Sequence, residues 1–84
     1  MDKLNRAFGD TLRELRTERL ISQEVLAKRA DLDRTYLSQL ERGLHLPTLA
    51  ALVRIARALG LTTSDLVSRI EQRKMRRARR PAAA

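Results

Sequence analysis

The chain has 84 residues, 43% of them hydrophobic with only Phe8 and Tyr36 aromatic, and a net charge of +8, which bounds it to one domain with a small aliphatic core. Without cysteine, with a single histidine, and without a Gly-rich phosphate loop or carboxylates at an acid–base spacing, it offers no disulfide, metal set, cofactor site or catalytic constellation. The N-terminal MDKLNRAFGD lacks the apolar run of a signal peptide, and no stretch approaches the roughly 20 apolar residues that span a bilayer, so a cytoplasmic protein is expected.

Leu4, Phe8, Leu12 and Leu15 recur at helical spacing and predict a first helix ending near Arg19. Ser22 is placed to cap a second helix with a thin stripe of Leu26, Ala27 and Ala30, and Asp33 to cap a third. In that third helix each residue advances about 100°, so Leu37, Leu40 and Tyr36 share one arc. Arg34, Thr35, Ser38, Gln39 and Arg42 share the opposite one. The polar arc reads either as an ordinary solvated face or as a set of side chains suited to base edges and phosphates in a DNA major groove.

Gly43 ends the third helix, Leu44 to Pro47 form a connection, and Thr48 starts a fourth helix. Its stripe of Leu49, Leu52, Val53, Ile55, Ala56 and Leu59 is the most regular in the chain, is expected at the centre of the core, and stops at Gly60. Thr62 with Asp65 resembles a capping box and opens a fifth helix through Leu66, Val67 and Ile70. No β-alternation occurs. The expected architecture is all-α, with residues 1–72 as the domain and 73–84 as a basic, disordered tail.

Charge separates the same two parts. Residues 73–80, RKMRRARR, hold six basic side chains and no acidic one, which leaves 12 basic and 10 acidic residues in positions 1–72. The run reads equally as a segment attracted to polyanions and as a solvated end. His45, alone in a loop, reads as a surface residue rather than a metal ligand.

The succession Ser22-Gln23-Glu24, Leu26-Ala27, Ala30, Tyr36-Leu37-Ser38, Leu40-Glu41-Arg42-Gly43, Pro47-Thr48-Leu49, Ile55-Ala56 and Ala58-Leu59-Gly60 resembles the XRE family of helix-turn-helix domains, similar to lambda repressor and Cro. The resemblance covers about residues 8–70. It implies a compact five-helix, lambda-repressor-like fold and binding of double-stranded DNA. By that resemblance Arg34, Thr35, Ser38 and Gln39 read bases, with Arg34 able to bond guanine bidentately. Gln23, Tyr36 and Arg42 contact phosphates, with His45 at most their neighbour. Arg16 and Glu41 form a structural ion pair.

Leu32-Asp33-Arg34-Thr35-Tyr36 with Ser38 further resembles restriction-modification controller proteins. For either group the resemblance implies a symmetric homodimer built near the fifth helix. Leu61, Leu66, Val67 and Ile70 read equally as its interface or as closure of the monomer core. The function expected is a sequence-specific transcriptional regulator, repressor or autoregulator, on a roughly palindromic operator, with no membrane partner and no evident small-molecule ligand. The competing reading is an antitoxin-type protein-interaction module with secondary DNA binding.

Overall fold

Local chemistry sets the helix boundaries. In the computed structural model, which describes residues 3–78, five helices follow one another: α1 (Lys3–Glu18), α2 (Gln23–Arg29), α3 (Arg34–Glu41), α4 (Leu49–Ala58) and α5 (Thr63–Ala78). No strand occurs among the described residues. Hydroxyl oxygens of Ser22, Thr48 and Thr62 accept from the amides of Val25, Ala51 and Asp65 at 3.1, 3.1 and 3.0 Å, capping α2, α4 and α5. Asp33 departs from expectation. It occupies the N-cap position of α3 with extended backbone, but its side chain makes no capping bond. The carboxylate is exposed and already hydrated, so exchanging water for one amide gains little.

The first four helices stop in the same way. Amides of Ile21, Leu32, Leu44 and Leu61 reach back to the carbonyls of Arg16, Ala27, Gln39 and Ala56 at 3.4, 2.8, 3.1 and 2.9 Å, the six-to-one bond of a Schellman turn. The residue before each takes a positive φ: Leu20 and Asp31 at 56°, Gly43 at 73° and Gly60 at 74°. The glycines adopt this without strain, whereas nothing in the structure explains an exposed leucine at position 20.

Phe8, Leu12 and Leu15 of α1, Leu26 of α2, Leu37 and Leu40 of α3, Ile55 of α4 and Leu66 of α5 are the largest side chains completely shielded from water. The α4 stripe is wider than the surface that covers it. Ala51, Ile55, Ala56 and Leu59 are buried, but Leu49, which the periodicity places in the core, is 74% exposed. It lies at the edge of the arc, where no other helix reaches.

Of the two readings left open for α5, core closure accounts for two of the four residues. Leu66 and Ile70 are 0% and 6% exposed, packed into this chain's own core, so only the half-buried Leu61 and Val67 retain surface for another molecule. The boundary at residue 72 is also displaced, because α5 continues to Ala78. Lys, Arg, Met, Gln and Ala all favour helix, and Arg73 adds a tertiary anchor. Its Nε donates to the Thr11 hydroxyl at 3.1 Å and its Nη2 to Glu14 on α1. The remainder of the expected tail, 79–84, lies outside the described residues.

Two features fix α3 against α1. A Cβ added at Gly9 would meet the carbonyl oxygens of Glu41 and Leu40 at 2.6 and 2.7 Å, so α1 touches the backbone at the end of α3 where only hydrogen fits. Beside it, the Glu41 side chain is 0% and that of Arg16 13% exposed. Arg16 donates Nε to Glu41 Oε2 at 2.6 Å, Nη2 to Oε1 at 3.1 Å and Nη1 to the Ile21 carbonyl at 2.9 Å. Hydrogen bonding to Glu41, helped by its charge and opposed by desolvation, raises the Arg16 pKa. A raised pKa on a base stabilises the fold at neutral pH and up to the ordinary arginine value, and the contribution is lost as pH climbs through the still higher folded value.

Gly9→Ala removes a helix-weakening residue, yet the backbone contact reverses the usual gain: a loss of about 1–3 kcal/mol is expected in urea unfolding. An unchanged or raised midpoint would contradict the close approach. Glu41→Ala leaves the Arg16 guanidinium without its carboxylate and should cost about 3–5 kcal/mol in the same assay.

Candidate nucleic-acid interface

The candidate interface is the outer face of α3 together with the start of α2 and the loop after α3. Leu37 and Leu40 anchor α3 from below, and Glu41 ties its last turn to α1. The opposite arc is left to solvent. Arg34, Thr35 and Arg42 are exposed, and Ser38 and Gln39 are half-buried. Five hydrogen-bonding side chains thus share one side of a helix narrow enough for a major groove.

Gln23 opens α2 beside this face. Its Nε2 donates to Glu41 Oε1 at 3.0 Å, so the carboxylate that holds Arg16 also holds the first residue of α2. A side-chain amide carries two hydrogens, and the second stays available to an external acceptor. Arg13, at the rim, brings Nε within 3.9 Å of the same carboxylate with its side chain 64% exposed. Sequence reasoning paired Arg16 with Glu41 but did not foresee Gln23 and Arg13 converging there. Their separation in sequence from Glu41 hides the contact.

Tyr36 and His45 build the other edge. The two rings stack, with centroids 5.5 Å apart and planes 26° from parallel. The Tyr36 hydroxyl accepts from the Thr48 amide at 3.3 Å and keeps its own proton to donate. His45 differs from the surface residue expected, being half-buried with Nε2 enclosed and without a hydrogen-bond partner. Stacking on Tyr36 draws the ring inward. The Leu44–Thr48 connection is thereby held against α3 rather than left loose.

Among the described residues no cluster of three or more His, Cys, Asp or Glu side chains could hold a metal, and no helix is long and apolar enough to cross a membrane.

Comparison with known proteins places this geometry. The helix-turn-helix family pattern matches residues 12–66. The control protein C.MunI of a Mycoplasma species is 42% identical over 73 residues, covering 86% of this chain and 99% of that protein. The crystal structure of the restriction-modification controller protein C.AhdI from Aeromonas hydrophila is 40% identical and superposes with a TM-score of 0.71 over 74% of this chain and 94% of that one. The controller C.Esp1396I, solved as a tetramer in complex with its natural 35 base-pair operator, is 25% identical, with a TM-score of 0.81 over 89% of this chain and 99% of that one. The pattern match from within α1 to the start of α5, together with the identity to C.MunI over most of both chains, establishes that the chain belongs to the XRE-type helix-turn-helix family of DNA-binding proteins, among relatives that include restriction-modification controllers.

Proposed function

We propose that the chain is a cytoplasmic, sequence-specific transcriptional regulator that binds a roughly palindromic operator as a homodimer and represses or autoregulates from it. The observation that carries the reading is the arc of Arg34, Thr35, Ser38 and Gln39, solvent-facing on a helix held rigidly by the buried Glu41 carboxylate. A rigid helix places donors and acceptors against base edges without an ordering cost at each contact.

In this reading Arg34 takes the leading base contact, because a guanidinium bonds both acceptors on the major-groove edge of guanine. Thr35, Ser38 and Gln39 read its neighbours. Gln23, Tyr36 and Arg42 orient the protein on the phosphates, Gln23 through its second amide hydrogen and Tyr36 through its free hydroxyl proton. His45 serves by holding the Tyr36 ring in place. The similarity to C.Esp1396I, which was solved on its operator as a tetramer, supports DNA occupancy by more than one subunit.

Dimerisation is assigned to the uncovered apolar edge rather than to Leu66, which is fully enclosed in the core. Leu46, Pro47, Leu52 and Val67 leave apolar surface along a groove of about 200 Å³ that Leu4, Phe8 and Ile70 also line, and Leu49 of α4 is itself 74% exposed. A symmetric pairing over this face sets two α3 helices in successive major grooves, about 34 Å apart. The antitoxin-type alternative is weakened by Arg73, since the segment available to dock a toxin begins with a residue already folded onto α1.

Selection of bound sequences from random DNA should return a two-fold motif from the wild type. Arg34→Ala should lose preference at one base per half-site at a cost of about 1–3 kcal/mol. Equal losses on all sequences would remove Arg34 from base reading. Leu49→Asp should leave the fold intact and convert the dimer to monomer in sedimentation at micromolar concentration, and retention of the dimer would place the interface elsewhere.

A further inference from the structure

A second charged feature lies apart from the recognition face. Arg69, Arg73 and Arg76 follow at i, i+4 and i+7, within about 60° of one another around α5. With Gln72 they form one wall of a polar cleft of about 230 Å³, whose other wall is Thr11, Glu14 and Leu15 of α1. Three guanidinium groups on one arc repel one another, and among the described residues Glu14 is the one carboxylate that lines the cleft. It engages Arg73, while Arg69 and Arg76 are exposed and make no ion pair among the described residues.

The position of the cleft separates it from the DNA-reading surface. On α1, Gly9, Arg13 and Arg16 face α3 and its Glu41 carboxylate. Thr11 and Glu14 are turned about 140–200° from Gly9 and face α5. The body of α1 therefore stands between α3 and the arginines, and one straight DNA segment read by α3 does not fill this cleft.

We propose that the α1–α5 cleft is an anion site that takes a small phosphate-bearing ligand. Guanidinium forks match phosphate oxygens bidentately, and three of them converge here. Thr11 is 4% exposed. Its hydroxyl accepts from Arg73 at the cleft floor and retains a proton to donate to the anion. Glu14, with its side chain 54% exposed, can turn into water when a more highly charged oxyanion replaces it. The volume is below the roughly 300–1,000 Å³ of pockets for drug-sized ligands and suits a compact anion. Such a ligand bridges α1 and α5 and stiffens the C-terminal half of α5.

The test is thermal unfolding of the full chain with pyrophosphate as probe, against sodium chloride at equal ionic strength. The wild type should show a saturable rise in Tm of about 5 °C. The variant R69Q/R76Q, with an unchanged far-UV spectrum, should lose it, and Glu14→Gln should bind pyrophosphate more tightly because a competing carboxylate is gone. A second arm asks whether DNA supplies the phosphate: capture of a second, non-operator duplex by operator-saturated protein, lost in R69Q/R76Q, would assign the site to a DNA backbone. Equal pyrophosphate shifts in wild type and R69Q/R76Q, or a shift reproduced by chloride, would overturn the proposal, and so would R69Q/R76Q-sensitive capture of the second duplex without a pyrophosphate shift.

Discussion

The recognition helix depends on one buried carboxylate. Glu41 sits at the last turn of α3 with its side chain sealed from water, and its two oxygens are held by Arg16 from α1 and Gln23 from α2. A charge in that position is tolerable only with its partners in place, so three helices are locked to one another through a single group. Gly9 makes the lock possible by letting the α1 and α3 backbones approach until carbonyl oxygens occupy the space of a side chain. Orientation of Arg34 and Thr35 follows from this arrangement rather than from anything on their own face.

The consequence is a division of labour around α1. One side braces α3 through Gly9, Arg13 and Arg16, the middle fills the core with Phe8, Leu12 and Leu15, and the far side receives α5 through Thr11 and Glu14. A small helical domain has little interior, so each turn of its first helix serves a different neighbour. The α3–α4 connection is held by a comparable economy. Stacking of Tyr36 on His45 and the bond from the Thr48 amide to the Tyr36 hydroxyl join the first turn of α3 to the connection and to the cap of α4.

Much of the fold was legible because its signals are local. Ser22, Thr48 and Thr62 cap, Gly43 and Gly60 stop, and 3.6-residue periodicity marks the buried faces of α1 and α3. The failures share a cause. Periodicity shows which residues of a helix are apolar but not how wide a surface its neighbours cover, so Leu49 was placed in the core and is exposed, while Leu66 and Ile70 stood as interface candidates and are enclosed. Composition marked 73–84 as tail because six basic side chains cluster there, and it could not register a glutamate 59 positions earlier waiting for Arg73.

By itself the sequence determined the helix count, most helix ends, the polar arc of α3 and the family, since each rests on residues a few positions apart or on an ordered pattern of them. Tertiary structure alone decided that Gln23 shares the Glu41 carboxylate, that His45 turns inward onto Tyr36, that α5 runs on to Ala78 with Arg73 folded onto α1 and that Leu49 is left exposed. Each of these depends on which surfaces meet when the helices pack. Packing is set by the sum of many weak contacts across the chain, and that sum leaves no mark at any single position.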